Sequence, residues 1–396
     1  MKLIERTEYL NKLKDVIGTP DIKVITGVRR SGKSKLLNAL KDYLSQDNQS
    51  NIIHINFNTP VSEQLLNYKD LYEYIENHYV PNKTNFVLID EIQMCDGFEK
   101  CINWIYESEK YDIYITGSNA FLLSSDLATL FTGRTFEIKV YPFSLKEYMT
   151  YFELNDYYSA FNQYLLNGGM SGSYAYKNEE DKYSYISEVF NTLIIRDLKQ
   201  KYKIRNLTAL DKVINFLMDN ISNLTSSRNI ADTLKSNHEN IDHKTVSKYI
   251  DYLCNAFLFY KIQRYDIQGK KYLNSTYKYY LSDHGFRFAI QGTKNLNIGR
   301  TIENIVAIEL LRRGYEVYVG VLYKKEIDFV AMKRNEKIYI QVSDNISDDS
   351  TFQREIDPLL KIKDAYPRIL LARTNFETYQ YEGIQIIDIS KWLSNR

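Results

Sequence analysis

The feature that most constrains the fold is a glycine-framed loop between a strand pattern and a helix pattern near the start of the chain. The strand pattern is "KVITG", residues 23–27, and the loop continues as Gly27-x-x-x-x-Gly32-Lys33-Ser34. In the next segment, "KLLNALKDYL", leucines recur at helical spacing. A phosphate-binding loop requires this order of strand, loop and helix. We therefore predict an α/β fold with a parallel-sheet core of the P-loop NTPase type.

The residue types in this loop match the chemistry of nucleotide binding. Glycines let backbone N–H groups turn toward phosphates, and the helix N-terminus adds a positive dipole. Lys33 can reach the β- and γ-phosphates, and the Ser34 hydroxyl can coordinate Mg²⁺. We predict that ATP and Mg²⁺ are bound by the following loop residues: Gly27, Arg30, Ser31, Gly32, Lys33, Ser34 and Lys35.

Two later strand patterns end in polar residues that would complete such a site. "NFVLIDEIQ" is apolar on both faces, as a central parallel strand is, and leads into Asp90 and Glu91. We predict that Asp90 holds Mg²⁺ and that Glu91 polarises the attacking water. "YDIYITGSNA" leads into Ser118 and Asn119, which are candidates to hydrogen-bond the γ-phosphate or the water. An ordinary turn is the alternative for that segment.

Arg134 lies in a Thr-Gly-Arg turn ahead of a further strand pattern, "TFEIKV". An arginine presented in this way can complete the site of a neighbouring copy by stabilising transition-state charge. This interpretation predicts a homo-oligomer. A surface ion pair is the alternative.

Six segments of the chain resemble AAA-type P-loop ATPases that carry a DUF4143 C-terminal region, close to the archaeal ATPase group. They are "GVRRSGKS", "VLIDEIQ", "ITGSNAFLLSS", "LFTGRTFEIKVYPFSLKEY", "YLLNGGM" and "IIRDLKQKY", and the likeness covers nearly the whole chain. The resemblance implies ATP hydrolysis with Asn119 as the polar sensor and Arg134 as an arginine acting in trans. It also implies that Glu5 and Arg6 lie near the adenine. Arg196 and Asp197 match a motif of this family, with a structural ion pair as the default role.

The middle of the chain is predicted to be helical and then to form a winged helix–turn–helix. Apolar residues recur at steps of three and four up to about residue 205, and Gly168-Gly169 is a helix stop. The resemblance assigns these helices to a lid. Two helices follow, the second with Asp242 as its N-cap, and then a basic hairpin that turns at Gly269.

The predicted winged helix is more basic than the rest of the chain. Residues 199–271 contain 13 Lys and Arg against 7 Asp and Glu, whereas the whole chain has a net charge of +1. We predict DNA phosphate contacts by Lys244, Lys248, Lys270 and Lys271, with Thr245 and Ser247 near base edges. A protein-interaction module with solvated charges is the alternative.

The C-terminal segment resembles the restriction-endonuclease-like fold. A helix with Glu303, a strand with Asp328 and a strand with Gln341-x-Ser343 follow in the order of that fold. Its usual acidic-x-Lys triplet is Gln-Val-Ser here, so we predict a scaffold that does not cleave nucleic acid. Lys325 or Lys337 is a possible substitute for the missing lysine, which leaves an ATP-gated, metal-dependent nuclease as an alternative.

Four domains follow from these patterns: an ATPase core (1–145), a helical lid (146–205), a winged helix (206–290) and a restriction-endonuclease-like domain (291–396).

No apolar run reaches the ~18 residues of a membrane span, and the three cysteines are too badly spaced for a disulfide framework. We expect a cytoplasmic ATPase that couples its nucleotide state to a conformational switch, with DNA as the client. The alternative is a slow nucleotide-dependent switch that binds proteins instead.

Overall fold

The computed structural model describes residues 4–117, 131, 133–237, 239, 241–292 and 297–395. They form two compact units: an N-terminal unit, residues up to 140 with 255–257, and a C-terminal unit, residues 141–254 with 258 onward. Within these described ranges, no helix combines the length and the apolar character needed to cross a membrane.

The described part of the N-terminal unit contains a five-stranded parallel sheet, as the sequence predicts. Its strands are β1 (Ile22–Thr26), β2 (Ser50–Asn56), β3 (Thr84–Asp90), β4 (Tyr111–Thr116) and β5 (Thr135–Lys139). Their spatial order is β2-β3-β4-β1-β5. Strand β4 therefore lies between the strand that precedes the glycine loop and the strand that ends in Asp90. Because all the strands are parallel, their carboxyl ends meet at one edge of the sheet.

Helices cover both faces of this sheet, which explains why β1 and β3 are apolar on both sides. The helices are α1 (Thr7–Lys14), α2 (Lys33–Leu44), α3 (Tyr68–Asn77) and α4 (Phe98–Glu107), with 3₁₀ turns at Pro60–Leu65 and Ile92–Met94. Leu13 of α1 and Leu37 of α2 belong to one apolar cluster, together with Leu88 of the sheet. Leu71 of α3 and Ile102 of α4 belong to a second cluster.

The described part of the C-terminal unit has helices before, between and after the strands of its sheet. They are α5 (Leu145–Phe152), α6 (Tyr157–Asn167), α7 (Glu179–Thr192), α8 (Leu207–Asp219), α9 (Ser227–Ser236), α10 (His243–Asn255), α11 (Gly285–Gln291), α12 (Ile298–Arg312), α13 (Asp349–Leu360) and α14 (Ile389–Ser394). Helix α7 continues as a π-helix (Leu193–Lys199) and a last turn (Gln200–Tyr202), and a 3₁₀ turn spans Ser171–Ala175. Helix α6 ends at Asn167, and the helix stop predicted at Gly168 is confirmed.

The described part of this unit also contains an eight-stranded sheet. Its strands are β6 (Phe259–Asp266), β7 (Lys271–Leu281), β8 (Glu316–Leu322), β9 (Lys325–Lys333), β10 (Glu336–Ser343), β11 (Arg368–Ala372), β12 (Tyr379–Tyr381) and β13 (Ile384–Asp388). Their spatial order is β12-β13-β11-β10-β9-β8-β6-β7. Helix α12 thus precedes an antiparallel run of β8, β9 and β10, and α13 precedes β11, which is parallel to β10.

The basic hairpin of the predicted winged helix belongs to this same sheet. Strands β6 and β7 pair in antiparallel fashion. Strand β6 also pairs in parallel with β8, from Gln263 opposite Tyr318 to Asp266 opposite Val321. The free edge that β6 would present in an isolated hairpin is therefore filled by β8, and the sheet continues across the boundary predicted at residue 290.

Candidate active site

The glycine loop connects the end of β1 directly to the start of α2. Gly27 has a φ of 143°, and a Cβ atom there would lie 2.1 Å from the carbonyl oxygen of Val140. Gly32, the N-cap of α2, has a φ of 100°. Both positions favour glycine because other residues rarely adopt these backbone angles. The loop is thus held close to the backbone of Val140, and its second glycine, Gly32, directly precedes the first turn of α2.

Lys33 is folded over this loop. Its side chain is buried, and Nζ donates hydrogen bonds to the carbonyl oxygens of Gly27 (2.9 Å) and Val28 (3.1 Å). Ser34 is half-buried in the first turn of α2. An ammonium group and a hydroxyl group at a helix N-terminus are suited to bind phosphate and its metal ion.

The other predicted loop residues differ in exposure. Ser31 is buried, whereas Arg30 and Lys35 are exposed. Arg6, which the family resemblance placed near the adenine, donates from Nη1 to the carbonyl oxygen of Ser31 (2.8 Å). The N-terminal segment is therefore tied to the loop by a buried arginine, while Glu5 is exposed.

The acidic pair lies at the carboxyl end of β3 and is organised by a threonine that sequence reasoning missed. Asp90 is buried, and its Oδ1 atom accepts a hydrogen bond from the Thr116 hydroxyl. The same hydroxyl oxygen accepts a hydrogen bond from the Glu91 backbone N–H (3.1 Å). Thr116 is the last residue of β4, the strand between β3 and β1. The sequence signal for this residue is a polar threonine at the end of the apolar strand pattern "YDIYIT".

Glu91 itself adopts a left-handed backbone conformation, with φ 57° and ψ 46°. Residues other than glycine rarely adopt this conformation unless surrounding contacts hold them in it. One oxygen of its carboxylate accepts a hydrogen bond from the Gln93 side-chain amide. On the adjacent strand β2, burial lowers the pKa of His54, an effect that the charge of Lys41 reinforces and that of Asp90 opposes.

Of the other two predicted catalytic residues, Asn119 and Arg134, the structure describes only Arg134. Asn119, like Ser118, lies outside the described residues. Arg134 precedes β5 at the amino end of the sheet, where its carbonyl oxygen accepts a hydrogen bond from Ile22 at the start of β1. Its Nη1 atom forms an ion pair with Glu107 Oε1 at 2.6 Å. The glycine loop follows the other end of β1, so Arg134 is remote from the loop of its own chain.

The residues fit a bound nucleotide with Mg²⁺. Lys33 places an ammonium group over the loop, and Asp90 presents a buried carboxylate at the same sheet edge. Mg²⁺ is commonly held by one or two protein ligands together with phosphate oxygens and water. Ser34 and Asp90 are those ligands in the prediction. Within the described ranges, no group of three or more His, Cys, Asp and Glu side chains is arranged to hold a metal ion.

The predicted DNA-binding residues lie on exposed parts of the C-terminal unit. Lys244, Lys248, Lys270 and Lys271 are exposed. Asp242 caps α10 as predicted, since its Oδ1 atom accepts a hydrogen bond from the Lys244 N–H (2.9 Å). The Thr245 hydroxyl donates to Asp242 Oδ2 (2.6 Å), which engages a group that had been expected near base edges. Of Arg196 and Asp197, the structure describes only the backbone, within the π-helix.

Comparisons with known proteins agree with this architecture. A family model of the AAA domain matches residues 19–149, and a model of a domain of unknown function, DUF8612, matches residues 158–297. The DUF4143 region expected from the sequence is thus not the one that matches.

An uncharacterized protein of Haemophilus influenzae is 40% identical over 401 residues, covering 99% of this chain and 98% of the relative. Another, from Methanocaldococcus jannaschii, is 28% identical and covers 98% of this chain and 89% of the relative. The Walker-type ATPase PABY2304 of Pyrococcus abyssi has a similar fold, with a TM-score of 0.50 and 16% identity, over 73% of this chain and 96% of that one.

Proposed function

We propose that this chain, which belongs to the same family as its Haemophilus influenzae relative and carries an AAA-type P-loop ATPase domain, binds and hydrolyses ATP with Mg²⁺. The observation that carries the proposal is the pairing of two features at one edge of a parallel sheet. One is the Lys33 ammonium folded over the glycine loop. The other is the acidic pair that Thr116 holds at the end of the neighbouring strands.

Each residue has a role that follows from its position. Lys33 and the backbone N–H groups of the loop bind the phosphates. Ser34 and Asp90 hold Mg²⁺, which neutralises charge on the phosphates when it is bound. Glu91 orients the attacking water and accepts its proton, and Thr116 fixes the position of Glu91 relative to Asp90. Asn119 remains our proposed polar sensor.

Arg134 is proposed to act on a second copy of the chain. Its place at the amino end of β1 separates it from the loop of its own chain, and its side chain, 40% accessible, forms an ion pair with Glu107. An arginine supplied by a neighbour stabilises transition-state charge. This assignment requires a homo-oligomer.

DNA is the proposed client of the ATPase, through the helices α9 and α10 and the turn of the β6–β7 hairpin. We place a winged helix at residues 206–290 on the basis of these elements, although its hairpin is continuous with the C-terminal sheet. Support comes from the exposed lysines of α10 and of the hairpin turn. Their contacts would be to phosphates, so affinity should fall as salt rises.

A second candidate is a slow nucleotide-dependent switch that binds proteins. The hydrogen bond from Gln93 to the Glu91 carboxylate favours it, because a carboxylate that accepts this bond is less available to a water molecule. In this reading, turnover is slow until a partner moves Gln93.

The test is ATP turnover with Mg²⁺, measured with and without duplex DNA. Glu91→Gln should bind ATP yet lose turnover by about 10²–10⁴-fold, the range for a general base. DNA should raise wild-type turnover several-fold. Lys244→Ala/Lys248→Ala should lose this stimulation, whereas Lys324→Ala/Lys363→Ala, which removes two exposed lysines elsewhere, should keep it.

Other outcomes of this assay decide against parts of the proposal. Wild-type turnover in Glu91→Gln would remove the assigned base. If DNA has no effect while ATP changes the oligomeric size, the protein-binding switch is favoured. Mixing Lys33→Ala with Arg134→Ala chains should restore part of the turnover that each lacks, and no recovery would contradict an arginine acting in trans.

A further inference from the structure

A buried lysine lies among three carboxylates at the place where the C-terminal unit resembles a nuclease. Lys278 on β7 is 2% exposed. Its Nζ atom lies 2.7 Å from Glu326 Oε1, 2.8 Å from Glu303 Oε1 and 3.6 Å from Asp328 Oδ1. We call these four residues the Lys278 cluster. Glu303 and Asp328 are the two carboxylates that the sequence assigned to a nuclease-like centre.

The cluster joins one helix to two strands that are not neighbours in the sheet. Glu303 comes from α12, Glu326 and Asp328 come from β9, and Lys278 comes from β7. Strands β8 and β6 lie between β9 and β7 in the order of the sheet, and the pairing of each is interrupted by a register shift. Such irregularities bend strands. No short-range pattern predicts this contact.

Three oxygen atoms at this place already accept hydrogen bonds from other groups of the protein. Glu303 Oε1 also accepts a hydrogen bond from the Tyr280 hydroxyl (2.7 Å). Asp328 Oδ2 accepts one from the Val342 N–H (2.9 Å). The Gln341 Oε1 atom, which would be the third ligand of a metal ion, accepts a hydrogen bond from the Asp328 backbone N–H (3.3 Å). The Gln341 amide donates to Glu355 on α13 (2.9 Å).

The lysines considered as substitutes from the sequence are engaged elsewhere. Lys325 forms an ion pair with Asp357 at 3.1 Å, and Lys337 forms one with Asp364 at 2.9 Å. The hydroxyl of Ser343, at the position where the triplet would have its lysine, donates to the Asn345 carbonyl oxygen (3.0 Å). The cation of this centre is therefore Lys278.

The charges around Lys278 keep it protonated. Burial on its own lowers the pKa of Lys278, but the negative charges of Glu303, Asp328 and Glu326 outweigh burial and raise this pKa above its ordinary value. A charge buried in this way is stabilised only by close partners, and removing one member of such a group leaves the others uncompensated.

We propose that the Lys278 ammonium is a built-in cation that closes a latent divalent-metal site formed by Glu303, Glu326 and Asp328. Lys278 takes the position that a hard cation such as Mg²⁺ or Mn²⁺, which prefers carboxylate oxygens, would take. The C-terminal sheet is then a nuclease-like scaffold that needs no metal and cleaves no phosphodiester bond. Lys278 also fastens the β6–β7 hairpin to α12 and β9. This inference does not depend on the proposed ATPase activity.

The test compares Mn²⁺ binding by full-length chains that carry Asp90→Asn, so that the nucleotide site contributes no metal. The parent should bind no Mn²⁺ at the cluster. Lys278→Met should have a lower Tm in EDTA, and Mn²⁺ should raise that Tm. The variant should bind one Mn²⁺ ion per chain, with a Kd at least about tenfold below the highest Mn²⁺ concentration at which the parent shows no binding. Adding Asp328→Asn should abolish that binding. The control Lys325→Met, which removes a lysine from the same sheet, should behave as the parent.

Two results would overturn the proposal. One is Mn²⁺ binding by the parent, or Mn²⁺-dependent nicking of plasmid DNA by the wild type, that Asp328→Asn removes. The other is a folded Lys278→Met chain that gains no Mn²⁺ affinity. If Lys278→Met folds only when Mn²⁺ is present, the proposal is supported. If Lys278→Met folds neither with nor without Mn²⁺, the parent chain provides the test. Mn²⁺ binding or nicking by the parent would refute a site closed by Lys278, and the lack of both at millimolar Mn²⁺ would support it.

Discussion

At the scale of single residues, one hydroxyl group links the Asp90 carboxylate to the backbone of Glu91 at the candidate ATPase site. The Thr116 hydroxyl donates to Asp90 and accepts from the Glu91 backbone N–H. It thereby couples the residue assigned to Mg²⁺ with the residue assigned to the attacking water. Because Glu91 has a left-handed backbone, its position depends on such contacts rather than on intrinsic preference. Thr116 is therefore a positioning residue for both.

Replacing this hydroxyl with a methyl group should slow catalysis without abolishing nucleotide binding. Thr116→Val keeps the shape of the side chain but leaves Asp90 Oδ1 without its donor, a loss worth about 1–3 kcal/mol. We expect kcat to fall by about 10–100-fold, while the Kd for ATP changes little. Thr116→Ser restores the hydroxyl and should recover most of kcat. Steady-state kinetics and calorimetry measure both quantities, and a wild-type kcat in Thr116→Val would contradict the role.

The residues that sequence reasoning found and missed differ in how they are encoded. The loop from Gly27 to Ser34 is a contiguous signal, since the strand, the turn and the helix follow one another along the chain. Thr116 and Lys278 become functional candidates only through partners on other strands. Strand order and sheet curvature decide those contacts, and neither is written in local periodicity. Arg134 was identified by its turn, but its place at the amino end of β1 depends on the pairing of β5 with β1.

At the scale of elements, the turn after α6 is packed against the turn after β7. Asp283 accepts hydrogen bonds from the N–H groups of Gly169 (2.6 Å) and Gly285 (2.7 Å). A Cβ atom on Gly169 would lie 2.4 Å from the carbonyl oxygen of Phe143 and 2.8 Å from Asp283 Oδ2. The "NGG" segment thus requires glycine because two backbones and a buried carboxylate meet there.

Gly169→Ala should destabilise the C-terminal unit. The added methyl group forces backbone or Asp283 to move, which costs about 1–3 kcal/mol, as overpacking typically does. We expect the Tm of this unit to fall by several degrees in calorimetric scans. The control is Gly299→Ala in α12, where the nearest atom to a new Cβ would be Asn297 Oδ1 at 3.4 Å. Alanine is favoured in helices, so the control should be neutral or stabilising. Equal Tm values for both variants would contradict the packing argument.

The elements were predicted better than their assembly. Periodicity and capping residues correctly indicated the helix after the glycine loop, the helix stop at Gly168 and the cap at Asp242. The hairpin β6–β7 was also expected, but its pairing with β8 was not. A hairpin pattern fixes which strands are adjacent in sequence, whereas the partner of its outer edge is set by long-range packing.

At the scale of the whole molecule, the chain combines an AAA-type ATPase domain with a C-terminal eight-stranded sheet in which Lys278 is buried among carboxylates. The net charge of +1 gives no global attraction to nucleic acid. Binding of a DNA client therefore depends on the local excess of Lys and Arg over Asp and Glu in residues 199–271. In the proposed function, the ATPase domain supplies the energy and the basic residues of the C-terminal unit contact the DNA.

The central claim is that the loop over which Lys33 folds binds a nucleotide, and titration calorimetry with MgATP tests it most directly. We expect one ATP to be bound per wild-type chain. Lys33→Ala should weaken binding at least about tenfold, or about 1.4 kcal/mol. Lys41→Ala, which removes the same charge from the last turn of α2, should leave the affinity nearly unchanged. No measurable binding by folded wild-type protein, or equal affinity in Lys33→Ala, would contradict the account.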